Sequence, residues 1–327
     1  MNLPSQIDAI LREAGVDFQH LTCLPMDRSH TGRQLFLVLV FKNGEPSPFA
    51  LFKVARTDDD REALQREFAN LERLRDAGVT SVPAPLYCTE RDGFFFLAES
   101  VGEGTRMKNR NPDRYFSSSD FPKHFDAVSD WLLAFHQALG EPVESVDRRV
   151  TEALSAYRER FKVSPDLDRL LDSSAERLME GIPTLSPVHG DFCTANILVS
   201  DRGQIFVIDW ENPMQPSWPL KDLIHFSTSI WCMPYRKGEE RLMKNIKELW
   251  TGRTSSSRMI RAKMEHALTQ LQLDPSLALP LQVMVWVDYA NEKMDYFQRA
   301  NAGKIWRPLI ILKDRSCLNL EWLAGGT

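Results

Sequence analysis

The 327-residue chain carries 40 Lys and Arg against 45 Asp and Glu, a formal net charge of -5, with 43% apolar and 10% aromatic residues. That composition excludes a disordered chain, and the acidic balance excludes attraction to nucleic acid by bulk charge. The opening Met1–Ile10 lacks a basic segment followed by an apolar one, and apolar runs such as Leu35–Phe41 are too short to span a bilayer. A cytoplasmic protein without a membrane span is therefore expected. Cys23, Cys88, Cys193, Cys232 and Cys317 are scattered and without C-x-x-C spacing, which fits reduced thiols rather than a disulfide frame or zinc site.

The first hundred residues read as a small antiparallel sheet with one helix. Gln34–Phe41 and Pro48–Ala55 are β-rich runs separated by the turn Lys42–Pro46, and Lys53 lies in the second of them. Asp58–Asp60 then predicts a helix start, with those residues as cap and favourable first-turn charge, and Gly78 predicts its end. Leu64, Phe68, Leu71 and Leu74 share one face of that helix, and Glu67 falls among them, whereas Glu62 points away. A carboxylate in an apolar stripe needs a partner. Gly93–Val101 reads as the last, buried strand of the sheet, and Gly102–Gly104 with the polar stretch to Ser119 reads as a linker. The expected division is an N-terminal lobe of sheet and helix, 1–101, and a mainly helical lobe, 102–327. The latter opens with a helix from Asp120 that buries Phe125, Val128, Trp131, Leu132, Phe135 and Leu139.

Helical patterns then dominate except at one hairpin. Ser186-Pro-Val-His-Gly-Asp191 leads through Asn196 into Ile197–Val199, which turns at Asp201–Gly203 and returns as Gln204–Ile208 to Asp209-Trp-Glu211. Antiparallel pairing around that turn sets Asn196 opposite Ile208 or Asp209. An amide oxygen and a carboxylate side by side suit Mg²⁺, which retains waters and takes further ligands from phosphates. Asp191, in the loop at the same end, is placed to accept a proton from an attacking hydroxyl.

The order Lys53, Glu67, His189-Gly-Asp191, Asn196, Asp209 resembles the protein-kinase-like fold. His-Gly-Asp-x-x-x-x-Asn followed by Ile-Asp-Trp-Glu is similar to its aminoglycoside phosphotransferase and choline kinase branch, over roughly residues 20 to 230. The resemblance implies a two-lobed α+β kinase-like fold and transfer of phosphate from ATP, with Mg²⁺, to a small-molecule hydroxyl. It implies Asp191 as catalytic base, Asn196 and Asp209 as metal ligands, Lys53 on the α- and β-phosphates, and Glu67 as the partner of Lys53. The backbone at Glu99 and Val101 corresponds to the adenine-binding hinge, while His189 and Asp222 correspond to braces of the catalytic loop. One departure stands out: Asp27–Arg33, where the nucleotide-covering turn belongs, holds a single glycine and no G-x-G-x-x-G. Ser29, Thr31 and Gly32 are the phosphate-contact candidates there.

The alternative is a pseudokinase, a nucleotide-binding or interaction module without turnover. Joint retention of Lys53, Asp191, Asn196 and Asp209 weighs against it. A protein kinase is disfavoured by the lack of an A-P-E segment after Asp209. Two features bear on the acceptor, expected to be a sugar, amino sugar or glycoside. Asp288, Glu292 and Asp295 share a helical face, which reads either as a solvated acidic surface or as a holder of amines. Arg236–Lys263 contains nine Lys and Arg but three Glu, which points instead to an anionic acceptor or to an exposed charged helix.

Overall fold

The computed structural model describes residues 2–26, 35–107, 120–140, 145–212, 214–232, 248–249, 254–301 and 320. The chain divides into two compact units. One comprises Met1–Thr105 with Leu198–Asp201 and Ile205–Pro213; the other comprises Arg106–Ile197, Arg202–Gln204 and Met214–Thr327.

In the first unit, β1 (Leu21–Met26), β2 (Phe36–Lys42), β3 (Ala50–Ala55), β4 (Pro85–Arg91) and β5 (Phe94–Glu99) form an antiparallel sheet in the order β1-β2-β3-β5-β4. The strand expected to be last thus lies inside the sheet, between β3 and β4. Two helices, not the single one expected, accompany it: α1 (Leu3–Glu13) and α2 (Asp58–Asp76). α1 buries Ile7, Ile10 and Leu11 with Val38, Val40, Phe52, Val54, Phe96 and Ala98. On the alternate strand positions, Leu64 of α2 packs with Leu35, Ala55, Phe95 and Leu97. Both faces of the central strands are covered, which is why β2, β3 and β5 read as continuous apolar runs instead of alternating ones. Each large side chain fully buried here contributes about 1.5–3 kcal/mol.

The α2 cap also differs from expectation. Thr57, not Asp58–Asp60, is the N-cap: its Oγ1 accepts from Asp60 N at 3.2 Å and donates to Asp60 Oδ2 at 2.7 Å. The three aspartates occupy the first turn, where their charge favours the helix dipole. Gly78 ends the helix with φ of 72°, and the Val79 amide donates back to Leu74 O at 2.9 Å.

The second unit is helical: α3 (Asp120–Leu139), α4 (Val146–Arg160), α5 (Pro165–Gly181), α6 (Lys221–Cys232), α7 (Ser255–Gln270) and α8 (Ala278–Asn301). α8 packs on α4 and α5. The expected stripe of α3 is buried at Phe125, Val128, Leu132, Phe135 and Leu139, while Trp131 is half-buried. Short strands punctuate the chain at β6 (Thr105–Arg106), β7 (Ser186–Pro187), β8 (Ile197–Val199), β9 (Ile205–Val207) and β10 (Pro216–Ser217). β7 and β10 pair antiparallel, and β8 and β9 are the neighbouring strands of the expected hairpin. Among the described residues no helix is long and apolar enough to cross a membrane.

Candidate active site

Within the first unit the chemistry gathers around Lys53. The β3 register sets it opposite Leu37 of β2 and Leu97 of β5, on the sheet face that packs with α2. Its side chain is 4% exposed, and Nζ donates to Glu67 Oε1 at 2.6 Å. Glu67 is only 1% exposed, more buried than its neighbour Phe68, and Glu62 on the opposite side is exposed. A second carboxylate meets the same lysine: Glu99 Oε1 lies 3.0 Å from Lys53 Nζ. Sequence reasoning assigned Glu99 a backbone role alone, and this side-chain contact is new.

The helix also fixes the segment that carries Asp209. Glu67 Oε1 accepts from Trp210 N at 3.2 Å, and one turn later Asn70 Nδ2 donates to Trp210 O at 2.7 Å and Asn212 O at 2.8 Å. Trp210 is thereby held at both its backbone groups, and its indole Nε1 donates to Val207 O at 3.1 Å. Asp209 itself sits at φ of 74°, in the left-handed region that a non-glycine residue enters only when its surroundings impose it. Asn70 was missed by sequence reasoning; its signal is a polar residue at i+3 from Glu67 on the same helix. Further along, Val101 is half-buried and Gly102 follows it, where a Cβ would come within 2.2 Å of the Phe206 ring.

One cation thus faces Glu67, Glu99 and Asp209. Burial works against the Lys53 charge, but these three carboxylates outweigh it and hold the lysine above its usual pKa. Burial pushes the Glu99 carboxyl up to about 7; Lys53 opposes that shift, and Glu67 and Asp209 add to it. A cluster so short of positive charge fits a divalent cation beside Asp209.

Within the second unit the centre is the loop His189-Gly-Asp191. Asp222, fully buried at the start of α6, accepts His189 N at 2.7 Å on Oδ2 and Gly190 N at 3.2 Å on Oδ1. Asp191 N donates to His189 Nδ1 at 3.3 Å, so that ring nitrogen is the acceptor. Gly190 has φ of 82°, a conformation that glycine adopts without cost. Asn196 Nδ2 donates to both Asp191 O and Asp191 Oδ2 at 3.0 Å, and Asn196 N donates to Cys193 O at 2.9 Å. With its amide nitrogen so committed, Asn196 offers Oδ1 as a hard donor, which suits Mg²⁺. Among the described residues no group of three or more His, Cys, Asp or Glu side chains forms a protein-only metal cage, and a phosphate-bound Mg²⁺ requires none.

Aromatic packing supports that loop. Phe192 stacks on Trp131 of α3 with centroids 5.7 Å apart and meets Phe226 of α6 at 6.0 Å. His225, one turn beyond Asp222, is depressed by burial, against the pull of Asp191 and Asp222. The acidic row on α8 is mixed: Asp288 is buried, Glu292 is exposed, Asp295 is half-buried, and each has a basic partner. Asp288 pairs with Arg149 at 2.6 Å, Glu292 with Lys221 at 2.9 Å, and Asp295 with Arg160 at 2.8 Å. The row is a seam joining α8 to α4 and α6, so its charge is already answered within the unit.

Ser29, Thr31 and Gly32 lie outside the described residues, as does most of the basic stretch 236–263. Of the remaining predicted residues, Lys53, Glu67, Glu99 and Asp209 gather in one cluster and Asp191 and Asn196 in the other, while Val101, just after β5, is in neither.

A lysine paired with a helix glutamate, a braced His-Gly-Asp loop and an asparagine five residues on are the features the sequence resemblance implies for a kinase-like phosphotransferase. The chain belongs to the phosphotransferase enzyme family (APH), whose sequence pattern matches residues 34–250, and it is by that membership a small-molecule kinase. No curated protein matches it in sequence. Among solved structures it is similar to an aminoglycoside phosphotransferase of Streptomyces rimosus in complex with ADP and streptomycin. That match has 16% identity and a TM-score of 0.46, and covers 88% of this chain and 100% of the other. A putative fructosamine-3-kinase of Haemophilus somnus is 15% identical, with 82% and 100% covered and a TM-score of 0.42. A Plasmodium vivax ethanolamine kinase is 11% identical, with 94% and 82% covered and a TM-score of 0.44.

Proposed function

We propose that the chain transfers the γ-phosphoryl group of ATP to a hydroxyl of a small molecule, a sugar, amino sugar or glycoside, with Mg²⁺ held by Asn196 and Asp209. The observation that carries this is Glu67, which accepts from Lys53 Nζ at 2.6 Å and from Trp210 N at 3.2 Å. One carboxylate thereby sets both the cation for the nucleotide phosphates and the segment presenting Asp209. Lys53 binds the α- and β-phosphates as a fixed charge, and the backbone at Glu99 and Val101 receives the adenine. Bound Mg²⁺ supplies charge neutralisation at the phosphates. Asp191 orients the acceptor hydroxyl and takes its proton; Asn196, donating to Asp191 Oδ2, holds that carboxylate in one rotamer and leaves Oδ1 to accept. Asp222 fixes the loop through two backbone amides. Catalysis is then mostly positioning and electrostatics, as phosphoryl transfer requires.

A screen of sugars, amino sugars, aminoglycosides, choline and small amino alcohols with radiolabelled ATP tests this. A productive acceptor is expected, and Asp191→Asn should lower its turnover about a hundredfold or more with nucleotide affinity nearly unchanged. If no acceptor is phosphorylated and slow ATP hydrolysis is unaffected by Asp191→Asn, the chain is a nucleotide-binding module without turnover.

A further inference from the structure

Lys53 has two carboxylate partners, and they are not equivalent. Glu67 is satisfied from two sides, by Lys53 Nζ and by the Trp210 amide. Glu99 comes from the end of β5, where the register sets it opposite Leu51 of β3 and Pro85 of β4. It is 3% exposed, its Oε1 lies 3.0 Å from Lys53 Nζ, and its Oε2 is buried with no hydrogen-bond partner among the described residues. A buried carboxylate oxygen left without a donor is costly, and Glu67 and Asp209 add like charge to the same cluster. Of the two ion pairs, the longer one to Glu99 is the weaker anchor, and it occupies donor capacity of an ammonium that has three hydrogens to give.

We propose that Glu99 is a displaceable partner of Lys53, a positioning residue whose carboxylate holds the lysine when no nucleotide is bound and competes with nucleotide phosphate for it. Glu67 keeps the lysine in place throughout, while the Glu99 contact is exchanged for a phosphate oxygen. Nucleotide affinity in this chain is therefore set below what Lys53 and Glu67 alone would allow. This rests on the reading that Lys53 binds phosphate.

The test is calorimetric titration of the full chain with MgADP, comparing the wild type with Glu99→Gln and Glu67→Gln. Glu99→Gln keeps the shape and removes the competing charge, so it should bind about tenfold tighter, the scale of one charge-assisted hydrogen bond. Glu67→Gln, which loosens the anchor, should bind no tighter than the wild type. Unchanged or weaker binding by Glu99→Gln overturns the proposal. Equal tightening in both variants also overturns it, since that is relief of general negative charge and not release of the lysine. Should Glu99→Gln fail to fold, Glu99→Met carries the same comparison. A wild type that binds no MgADP removes the nucleotide reading and this inference with it.

Discussion

Around Lys53, one ammonium meets three carboxylates inside the first unit; around Asp191, the second unit fixes its loop with neutral backbone donors on a single carboxylate, Asp222. The first cluster is held by opposed charges in a dry setting, where the partners stabilise one another only as a set. The second is held by hydrogen bonds whose donors are main-chain amides, with aromatic packing of Trp131, Phe192 and Phe226 around them. Charge makes the lysine a ready partner for phosphate, and it leaves that cluster sensitive to every added or removed proton. The His189–Asp191 loop is held instead through main-chain donors.

The largest effect separating the clusters is expected at Lys53. Lys53→Met leaves Glu67 and Glu99 buried without their cation, and should cost about 3–5 kcal/mol in denaturant unfolding as well as nucleotide binding. A loss below about 1 kcal/mol would mean that the carboxylates take up protons readily and that the ion pairs contribute little. Next comes Asp222→Ala, which strands the His189 and Gly190 amides. About 2–4 kcal/mol and most of the turnover should be lost, with MgATP affinity changed far less than in Lys53→Met. Equal loss of affinity in the two variants would mean that the two clusters do not act separately.

The smallest effect is the pH dependence that Glu99 gives the first cluster. Glu99 is raised from its usual 4.5 to about 7. A group whose folded pKa is raised gives its full stabilisation below pH 4.5 and loses it as pH rises through about 7. Melting temperature should therefore fall between pH 5 and pH 8 more in the wild type than in Glu99→Gln. Parallel profiles for wild type and Glu99→Gln would place the Glu99 proton elsewhere.

The two clusters were also unequally legible in the sequence. Lys53 and Glu67 could be found because both sit on regular elements, where strand alternation and helical periodicity fix which way a side chain points. His189, Asp191 and Asn196 are close in sequence, so local spacing carried them. The Glu99 side-chain role was hidden because it depends on β5 pairing with β3 across more than forty residues, past α2 and β4. Asn70 grips backbone carbonyls of Trp210 and Asn212, and its place at i+3 from Glu67 does not by itself say which main-chain groups it meets. The acidic row on α8 was seen as a row, but its partners Arg149, Arg160 and Lys221 lie on other helices far along the chain, so its neutralisation was not. α1 escaped, and the edge strand β1 was implied only by the place of the 27–33 turn, because β1 is mostly exposed, with Pro25 in it.

The most direct measurement of the central claim is ATP binding by calorimetry in Mg²⁺ and in EDTA, for the wild type and Asp209→Ala. If Asn196 and Asp209 are the only protein ligands, as proposed, a metal would be bound chiefly together with the nucleotide, so ATP should bind at least tenfold tighter in Mg²⁺, and Asp209→Ala should abolish the difference. The same ATP affinity in both buffers, or a Mg²⁺ dependence that survives Asp209→Ala, would contradict the assignment.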